Sequence, residues 1–469
     1  MGIIKNLKRW LNMVFKGKAK NTFNVKSAES PEMMRFVEMC SDIYRGIPNW
    51  LENDVKTINF AKTLCEEYGR LTMLATSIKI DGSARANWLQ EQIDKVYYNL
   101  RKWVEYATAY GTIILKPNGN SIDLVLPSHF MITNEDDGVV TGVVFYNSAV
   151  SNDGKVFYTR LEYHRFVNSV YVITNRCYQG ISENDMSKEI IIEDSPWAGL
   201  QEEVAIANID KPLYAVFKTP IANNIDINSP LGMPMFSQVV EELKDLDVAY
   251  SRRAEEIYDS QRTTLLDSDR LPLVGENIKL ATIAPEQAWD NTKRKLKLPR
   301  FIRNVEGGNA TDFFQDVQPV LNTTERNEGI NSLLSQIGFK CGFSNGYFVF
   351  NKKTGMITAT QVESDDRRTL ETIKDIRDCL ESALDDLLYA LDKFADLYGL
   401  APIGTYEVTF AFGDITYSEE EDKQTWWKYV MAGKVPAWMY FVKFEGFTED
   451  EAKAMQEEMN TANALFSAE

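Results

Sequence analysis

The residues best suited to chemistry form one cluster of positive charge in an otherwise acidic chain. The chain has 469 residues, with 51 lysines and arginines against 68 acids and a net charge of −17. A cluster of cations in such a chain favours a contact with nucleic acid or with an acidic protein, although a solvated basic loop explains it equally well. Six cations within eleven positions make up this cluster: Lys293, Arg294, Lys295, Lys297, Arg300 and Arg303.

The histidines and cysteines indicate no metal site. The two histidines, His129 and His164, are too few for a zinc site of the HExxH type, and His164 lies in an aromatic strand pattern that favours a structural role. The cysteines are odd in number, far apart and without a CxxC pair, so we expect small buried side chains and no disulfides. The five are Cys40, Cys65, Cys177, Cys341 and Cys379.

Motifs that bind nucleotides or activate a nucleophile are missing from the sequence. It contains no P-loop, no GxG and no GxSxG. Adjacent acids such as Asp365 and Asp366 point about 100° apart on a helix and do not converge on one ion. We therefore expect no cofactor, no metal and no enzymatic activity. A Mg²⁺-dependent enzyme that processes nucleic acid with carboxylates stays open as the alternative.

The hydrophobic pattern divides the chain into helical and β-rich blocks that follow one another. Residues 31–110 are predicted to be mostly helical, with one helix opening at Ser30-Pro31 and another from about 84 to 110, before Gly111. Between 111 and 175 the period changes to two, which predicts an antiparallel meander. Helices followed by such a sheet, rather than alternating with strands, are typical of the α+β class.

More helices are predicted after the meander. Residues 229–263 and 321–341 have helical patterns and flank an irregular stretch, 264–320, that prolines and glycines interrupt. Residues 358–398 contain neither Gly nor Pro and would form a rod of about 60 Å. A short strand and further helices are predicted in the acidic tail.

The N-terminal residues predict a basic amphipathic helix. Apolar side chains recur at helical spacing over 3–15, and the first twenty residues contain six cations and no acid. Packing on the protein itself or on a neighbouring subunit is favoured over binding to a membrane surface. No apolar run reaches the ~18 residues that span a bilayer and no signal peptide is recognisable, so we expect synthesis in a cytoplasm.

Several short segments carry a resemblance to a known family. In these segments and in the order of its elements, the chain resembles the portal proteins of long-tailed bacteriophages that infect Gram-positive bacteria, although Phe343 stands where leucine is more usual. The stronger segments are Cys341-Gly342-Phe343-Ser344 continuing through Lys352-Lys353-Thr354-Gly355 to Thr358-Ala359-Thr360-Gln361-Val362, and Met431-Ala432-Gly433-Lys434-Val435-Pro436 followed by Phe447-Thr448-Glu449-Asp450-Glu451-Ala452. The weaker ones are Ala109-Tyr110-Gly111 and Ser229-Pro230-Leu231-Gly232.

This resemblance implies a portal-type subunit of seven parts. They are a wing (1–228), a stem helix (229–263), a clip (264–320), a second stem helix (321–341), a tunnel loop (342–357), a long wing helix (358–398) and a crown (399–469). The apolar faces of the stem helices, including Leu243 and Leu246, are expected to pack on each other and on neighbouring subunits.

The resemblance also implies a ring of identical subunits, usually twelve, at one capsid vertex. Double-stranded DNA would pass through its channel during genome packaging and ejection, independently of sequence. An acidic channel would repel the DNA phosphates and so keep the DNA from adhering during transport. The implied partners are the large terminase subunit, the head–tail adaptor, and the capsid and scaffold proteins. The ring would assemble in the bacterial cytoplasm and reside in the virion.

Two sets of cations receive roles from the resemblance. Lys352 and Lys353 in the tunnel loop are expected to contact the DNA backbone as point charges, and the cluster from Lys293 to Arg303 in the clip is expected to dock terminase and adaptor. Glycines would let the tunnel loop move: Gly342, Gly346 and Gly355. The alternative is a small buried strand that fixes the loop through Tyr347, Phe348 and Phe350.

Overall fold

Helices and antiparallel strands occupy separate blocks of the protein. In the computed structural model 47% of the chain is helical and 22% is in strands, which confirms the α+β class. The structure describes residues 14–51, 55–119, 121–182, 185–259, 322–349, 359–413, 419–432, 434–445, 447–449 and 451–456, together with short strands between 263 and 317.

Four helices precede the meander. Ser30 accepts a hydrogen bond from the Met33 N–H and Pro31 occupies the first turn, so α2 begins where its capping residues predict. α4 ends at Gly111, whose φ of 78° is the left-handed conformation that glycine adopts at low cost. The helices are α1 (residues 14–23), α2 (Pro31–Tyr44), α3 (Phe60–Thr72) and α4 (Ala84–Tyr110).

α1 packs on the protein's own sheet. Phe15 and Ala19 are buried, and the Lys16 ammonium pairs with the buried Glu29 carboxylate. These contacts continue the helix past its predicted end at residue 15, while residues 3–13 lie outside the described part of the chain. For the described residues, the expectation of packing on the protein itself is confirmed.

Ten strands are described between α3 and the helix that begins at Val240, with β1 before α4 and the other nine after it. β1, which lies within a stretch predicted to be helical, and β4, β8, β9 and β10 were not predicted from the sequence. The strands are β1 (Thr76–Asp81), β2 (Thr112–Asn118), β3 (Ser121–Val125), β4 (Phe130–Asp136), β5 (Val139–Val150), β6 (Phe157–Val167), β7 (Val170–Gly180), β8 (Lys188–Ile190), β9 (Glu203–Ile206) and β10 (Ala215–Lys218).

The meander forms two antiparallel sheets. The larger has the order β4-β5-β6-β7-β8, with β9 also paired to β7, and the smaller has the order β10-β2-β3. β2 is buried at six of its seven positions, because the strand is covered on both faces. The larger sheet keeps polar side chains at several buried positions of β6, which are described below.

A helix hairpin follows the sheets. α5 (Val240–Asp259) and α6 (Thr323–Lys340) pack on each other, and the described residues between them form five short strands. β11 pairs with both β14 and β15, and β12 pairs with β13. The strands are β11 (Thr263–Leu266), β12 (Trp289–Asp290), β13 (Lys295–Leu296), β14 (Phe301–Arg303) and β15 (Phe314–Val317). The first described strand after α5, β11, therefore pairs with the last described strand before α6, β15.

The C-terminal part begins with the longest helix. α7 (Ala359–Tyr398) has 40 residues and agrees with the prediction for 358–398 to within one residue. β16 (Glu407–Phe412) pairs antiparallel with β1, so the early and late parts of the chain share a sheet. Two further helices are α8 (Glu419–Met431) and α9 (Ala437–Phe444), and residues 451–456 are also helical. No described helix is long and apolar enough to cross a membrane.

The main hydrophobic core lies among α3, α4, α7 and the start of the hairpin. Leu89 of α4 and Leu387 of α7 are fully buried in it. Leu243 and Leu246 are 3% and 0% exposed in the same core of a single chain. The expectation that these two leucines also contact neighbouring subunits is therefore wrong, because the chain itself already covers them.

Candidate functional site

The helix hairpin is held in register by ion pairs at both ends. Lys340, at the end of α6, pairs with Glu242 at the start of α5, and Arg326 pairs with Glu256 at the opposite ends. Glu256 also accepts a hydrogen bond of 2.9 Å from the Asn322 N–H. These pairs lie fourteen residues apart, or about 20 Å along each helix, so the two helices run antiparallel as one unit.

A loop between α2 and α3 crosses the first half of α5. Asp247 is 3% exposed and accepts hydrogen bonds of 2.9 Å from the Trp50 indole N–H and from the Ile58 N–H. One turn later, the Ser251 hydroxyl accepts a bond of 2.7 Å from the Lys56 N–H. Burial raises the pKa of the Asp247 carboxyl, although these donors oppose the rise. Beyond Ser251 most described side chains of α5 are at least partly exposed.

The insertion between α5 and α6 contains the predicted basic cluster, of which the structure describes two positions. Lys295 lies in β13 opposite Asp290, and Arg303 lies in β14 opposite Leu266 of β11. The other four cations, Lys293, Arg294, Lys297 and Arg300, lie outside the described residues. The backbone thus places two of the six cations in the strand-paired insertion beyond the hairpin.

The first half of the predicted tunnel loop is anchored on α3 and α7. Phe343 is fully buried, with its ring 4.8 Å from those of Tyr68 and Phe348. The Ser344 N–H donates to the Thr369 hydroxyl of α7 over 2.9 Å. Aromatic packing therefore fixes residues up to 349, as the alternative interpretation expected, but without forming a strand.

A glycine of this segment has a different role from the one predicted. Gly342 has a φ of +83°, and a Cβ on it would lie 2.3 Å from the Thr372 hydroxyl oxygen. Its carbonyl accepts a hydrogen bond of 3.0 Å from that hydroxyl. Gly342 therefore permits a close approach to α7, not loop motion. Lys352, Lys353, Phe350 and Gly355 lie outside the described residues.

Two buried arginines hold α7 against the helical layer. Arg377 donates to the carbonyls of Leu71, Thr72 and Leu74 at the end of α3, over 3.0–3.2 Å. Arg85, near the start of α4, donates to the Asp392 carbonyl over 2.9 Å and pairs with Asp396. Arg377 thus binds carbonyl groups at the end of α3, whereas Arg85 binds a carbonyl within α7.

The two weaker segments of the resemblance meet in space. A Cβ on Gly111 would lie 2.2 Å from the Gly232 carbonyl oxygen, and one on Gly232 would lie 2.4 Å from that of Gly111. The Gly232 N–H also donates to the Thr112 hydroxyl over 2.7 Å. Glycine at both positions allows the end of α4 to touch the segment leading to α5.

A buried charge cluster lies where the two sheets meet, and the sequence reading missed it. The Glu162 carboxylate of β6 accepts from Arg160 over 2.8 Å and from the His164 Nε2–H over 2.9 Å, and it pairs with Lys116 of β2. All four residues are at most 8% exposed. Residues 160, 162 and 164 alternate along one strand, so the spacing of three ionisable groups on one face could have revealed the cluster.

The cluster sets the charge of its own members. Burial would raise the pKa of Glu162, but the neighbouring cationic groups hold it well below its usual value. Burial lowers the pKa of His164, which is therefore neutral at pH 7. Its Nδ1 then accepts from the Tyr171 hydroxyl at 2.7 Å, and that oxygen accepts from the Leu213 N–H. Each of the four side chains has a partner in the cluster, although the Arg160 Nε–H has no acceptor among the described residues, and these contacts support the fold.

The described residues contain no group of three His, Cys, Asp or Glu side chains that could hold a metal ion. All five cysteines are free. Burial is confirmed for four of them, whereas Cys379 is half-buried.

No family model matches this chain, and a search of the curated proteins finds no significant match.

Proposed function

We propose that this chain is a portal protein of a long-tailed bacteriophage. Copies of it would form a ring, usually of twelve, at one vertex of the capsid. The ring would conduct double-stranded DNA during packaging and ejection and would dock the large terminase subunit and then the head–tail adaptor, while its outer side contacts capsid and scaffold proteins. Its place in a mature particle would be the portal vertex of the virion.

The observation that carries this proposal is the α5–α6 hairpin with strand pairing in its insertion. Ion pairs keep the two helices in register over about 20 Å. The hairpin lies between an α+β body and the 40-residue α7. A stem, a clip and a long wing helix follow one another in this order in the family that the sequence resembles.

The charge distribution supports transport of DNA without retention. The net charge of −17 per chain would make a ring strongly acidic, so phosphates would be repelled from most of its surface. Within this acidic chain the cations of the insertion would offer terminase and adaptor a local positive surface. A Mg²⁺-dependent enzyme would need carboxylates that converge on one ion, and the described residues contain no group of three such side chains.

The mass of the assembled protein tests the proposal. Native mass spectrometry and negative-stain images of the purified full chain should show closed rings of about twelve copies, because a channel requires cyclic symmetry. A chain that stays between monomer and tetramer at all concentrations would refute the portal assignment.

A second measurement tests the proposed DNA contact. Replacing Lys352 and Lys353 with Ala should leave ring assembly unchanged and lower the amount of DNA that particles package or retain, because two cations that would contact phosphate are lost. The matched control is Lys374→Ala, an exposed lysine of α7. Full genomes in particles of the double variant would remove the DNA-contact role and leave the ring untouched.

A further inference from the structure

The described residues of the helices beyond residue 413 form no hydrophobic core of their own. Among the described residues of 419–456 only Ala452 is buried, and none belongs to the hydrophobic clusters of the body. Every residue of α9 except Lys443 is hydrophobic or aromatic, yet none is buried. Such a helix is stable only where other surfaces cover it, since isolated helices below about 12–15 residues are marginal in water.

The contacts within this segment leave much apolar surface in water. The rings of Trp427 and Tyr440 lie 5.2 Å apart, and those of Trp426 and Phe444 lie 6.0 Å apart, so α8 and α9 do pack on each other. Six large side chains nevertheless stay 38–74% exposed: Trp427, Tyr429, Met431, Met439, Phe447 and Met455. Their number within one short segment marks an interaction surface.

The exposed residues of α8 lie on two faces. Met431 is one turn from Trp427, so these two share a side of α8; the Trp427 ring packs on Tyr440 of α9, whereas Met431 stays 74% exposed beside it. Tyr429 is two residues from each of them, or about 200° around the helix, and therefore lies on the opposite face. A single partner covers one face, whereas in a closed ring every copy has a neighbour on each side. Two apolar faces on one segment therefore fit a second copy of this chain better than one foreign protein.

We propose that α8, α9 and residues 447–456 form an interface between copies of this chain. One face of the segment packs on the same segment of the preceding copy and the other face on that of the following copy, so its hydrophobic core is completed by assembly. This inference rests on the proposed ring. It identifies the residues that join the copies, and it explains why the described residues of this segment form no core in a single chain.

Charged substitutions at exposed positions of the full-length chain test the interface. Met431 and Met439 are 74% and 40% exposed, so M431E together with M439E removes no core contact of the single chain. The protein concentration at which half the chains are assembled should rise at least tenfold, because two buried methionine side chains are lost from each interface. The urea midpoint of the body should not change. The matched control is I227E, since Ile227 is 88% exposed on a loop outside the segment, and it should shift assembly less than twofold.

A second variant tests the opposite face, and the outcomes separate the two proposals. Y429K should weaken assembly as the double variant does, and α9 amides should exchange slowly in rings but fast in dissociated chains. Rings that form at the same concentration from both variants and the wild type would overturn this interface and leave the portal assignment standing. A wild type that never forms rings would overturn both. A control that is as defective as the double variant would also overturn this interface.

Discussion

Two buried carboxylates, Glu162 in the meander and Asp247 in the hairpin, occupy opposite electrostatic surroundings. Glu162 contacts two cations and a histidine, and its pKa is held well below the usual value. Asp247 accepts N–H groups of Trp50 and Ile58, has no ion pair among the described residues, and has a raised pKa. Burial to a similar degree therefore does not determine the charge state of a carboxyl; the partners do.

The two carboxylates also connect different parts of the molecule. Glu162 joins β6 of one sheet to Lys116 of β2 in the other, so its loss leaves two buried cations without a counter-charge. Asp247 joins a loop to α5, so its loss leaves two neutral N–H groups unpaired. An unpaired buried charge lowers the free energy of unfolding more than an unpaired buried N–H group does, so the loss of Glu162 should destabilise the fold more than the loss of Asp247.

The largest effect is expected from Glu162→Gln. The variant keeps the shape of the side chain but leaves Lys116 and Arg160 buried without their anion, which should lower the free energy of unfolding by about 3–5 kcal/mol. Urea unfolding of the full chain measures this loss. The control is Glu202→Gln, an exposed partner of Arg176 at 3.1 Å, which should change stability by about 0.5 kcal/mol or less. Equal losses in both variants would contradict the proposed role of the cluster.

A smaller effect is expected from Asp247→Ala. It leaves the Trp50 indole N–H and the Ile58 N–H without an acceptor, at a cost of about 1–3 kcal/mol. Hydrogen exchange at the Ile58 amide should accelerate together with the loss measured in urea. Asp245→Ala, at an exposed position of the same helix, is the control and should have little effect. Unchanged exchange at Ile58 would show that the loop is held by other contacts.

The smallest effect is a difference in pH dependence. His164 and Glu162 have lowered pKa values in the folded protein, so the unfolded chain binds more protons and stability falls as the pH drops below about 6.5. The raised pKa of Asp247 has the opposite sign: its burial penalty at neutral pH disappears as the pH falls toward 3.8.

Stability measured between pH 7 and pH 4 separates these contributions. His164→Gln should lose less stability than the wild type just below pH 6.5, because the histidine no longer takes up a proton on unfolding. Asp247→Asn should lose more than the wild type at lower pH, because the compensating proton uptake is gone. Parallel curves for all three proteins would contradict the opposite signs.

Much of the secondary structure could be predicted because its signals are local. Ser30 and Pro31 mark the start of α2, Gly111 marks the end of α4, and the uninterrupted stretch from 358 to 398 predicts α7. Strand periodicity likewise predicts β2, β5, β6 and β7. β1 escaped this reading because its partner, β16, lies more than 300 residues away, and a short strand is stable only with its partner.

The sequence by itself determined the α+β class, the acidic charge, the main helix boundaries and the burial of four of the cysteines, since each follows from composition or from neighbouring residues. Only the tertiary structure decided which groups meet: Glu162 with Lys116, Gly111 with Gly232, and Phe343 with Tyr68. It also placed Leu243 inside the chain's own core rather than at a subunit boundary. These pairings depend on which strands and helix faces pack together, and no local pattern records the identity of a partner that lies far away in the sequence.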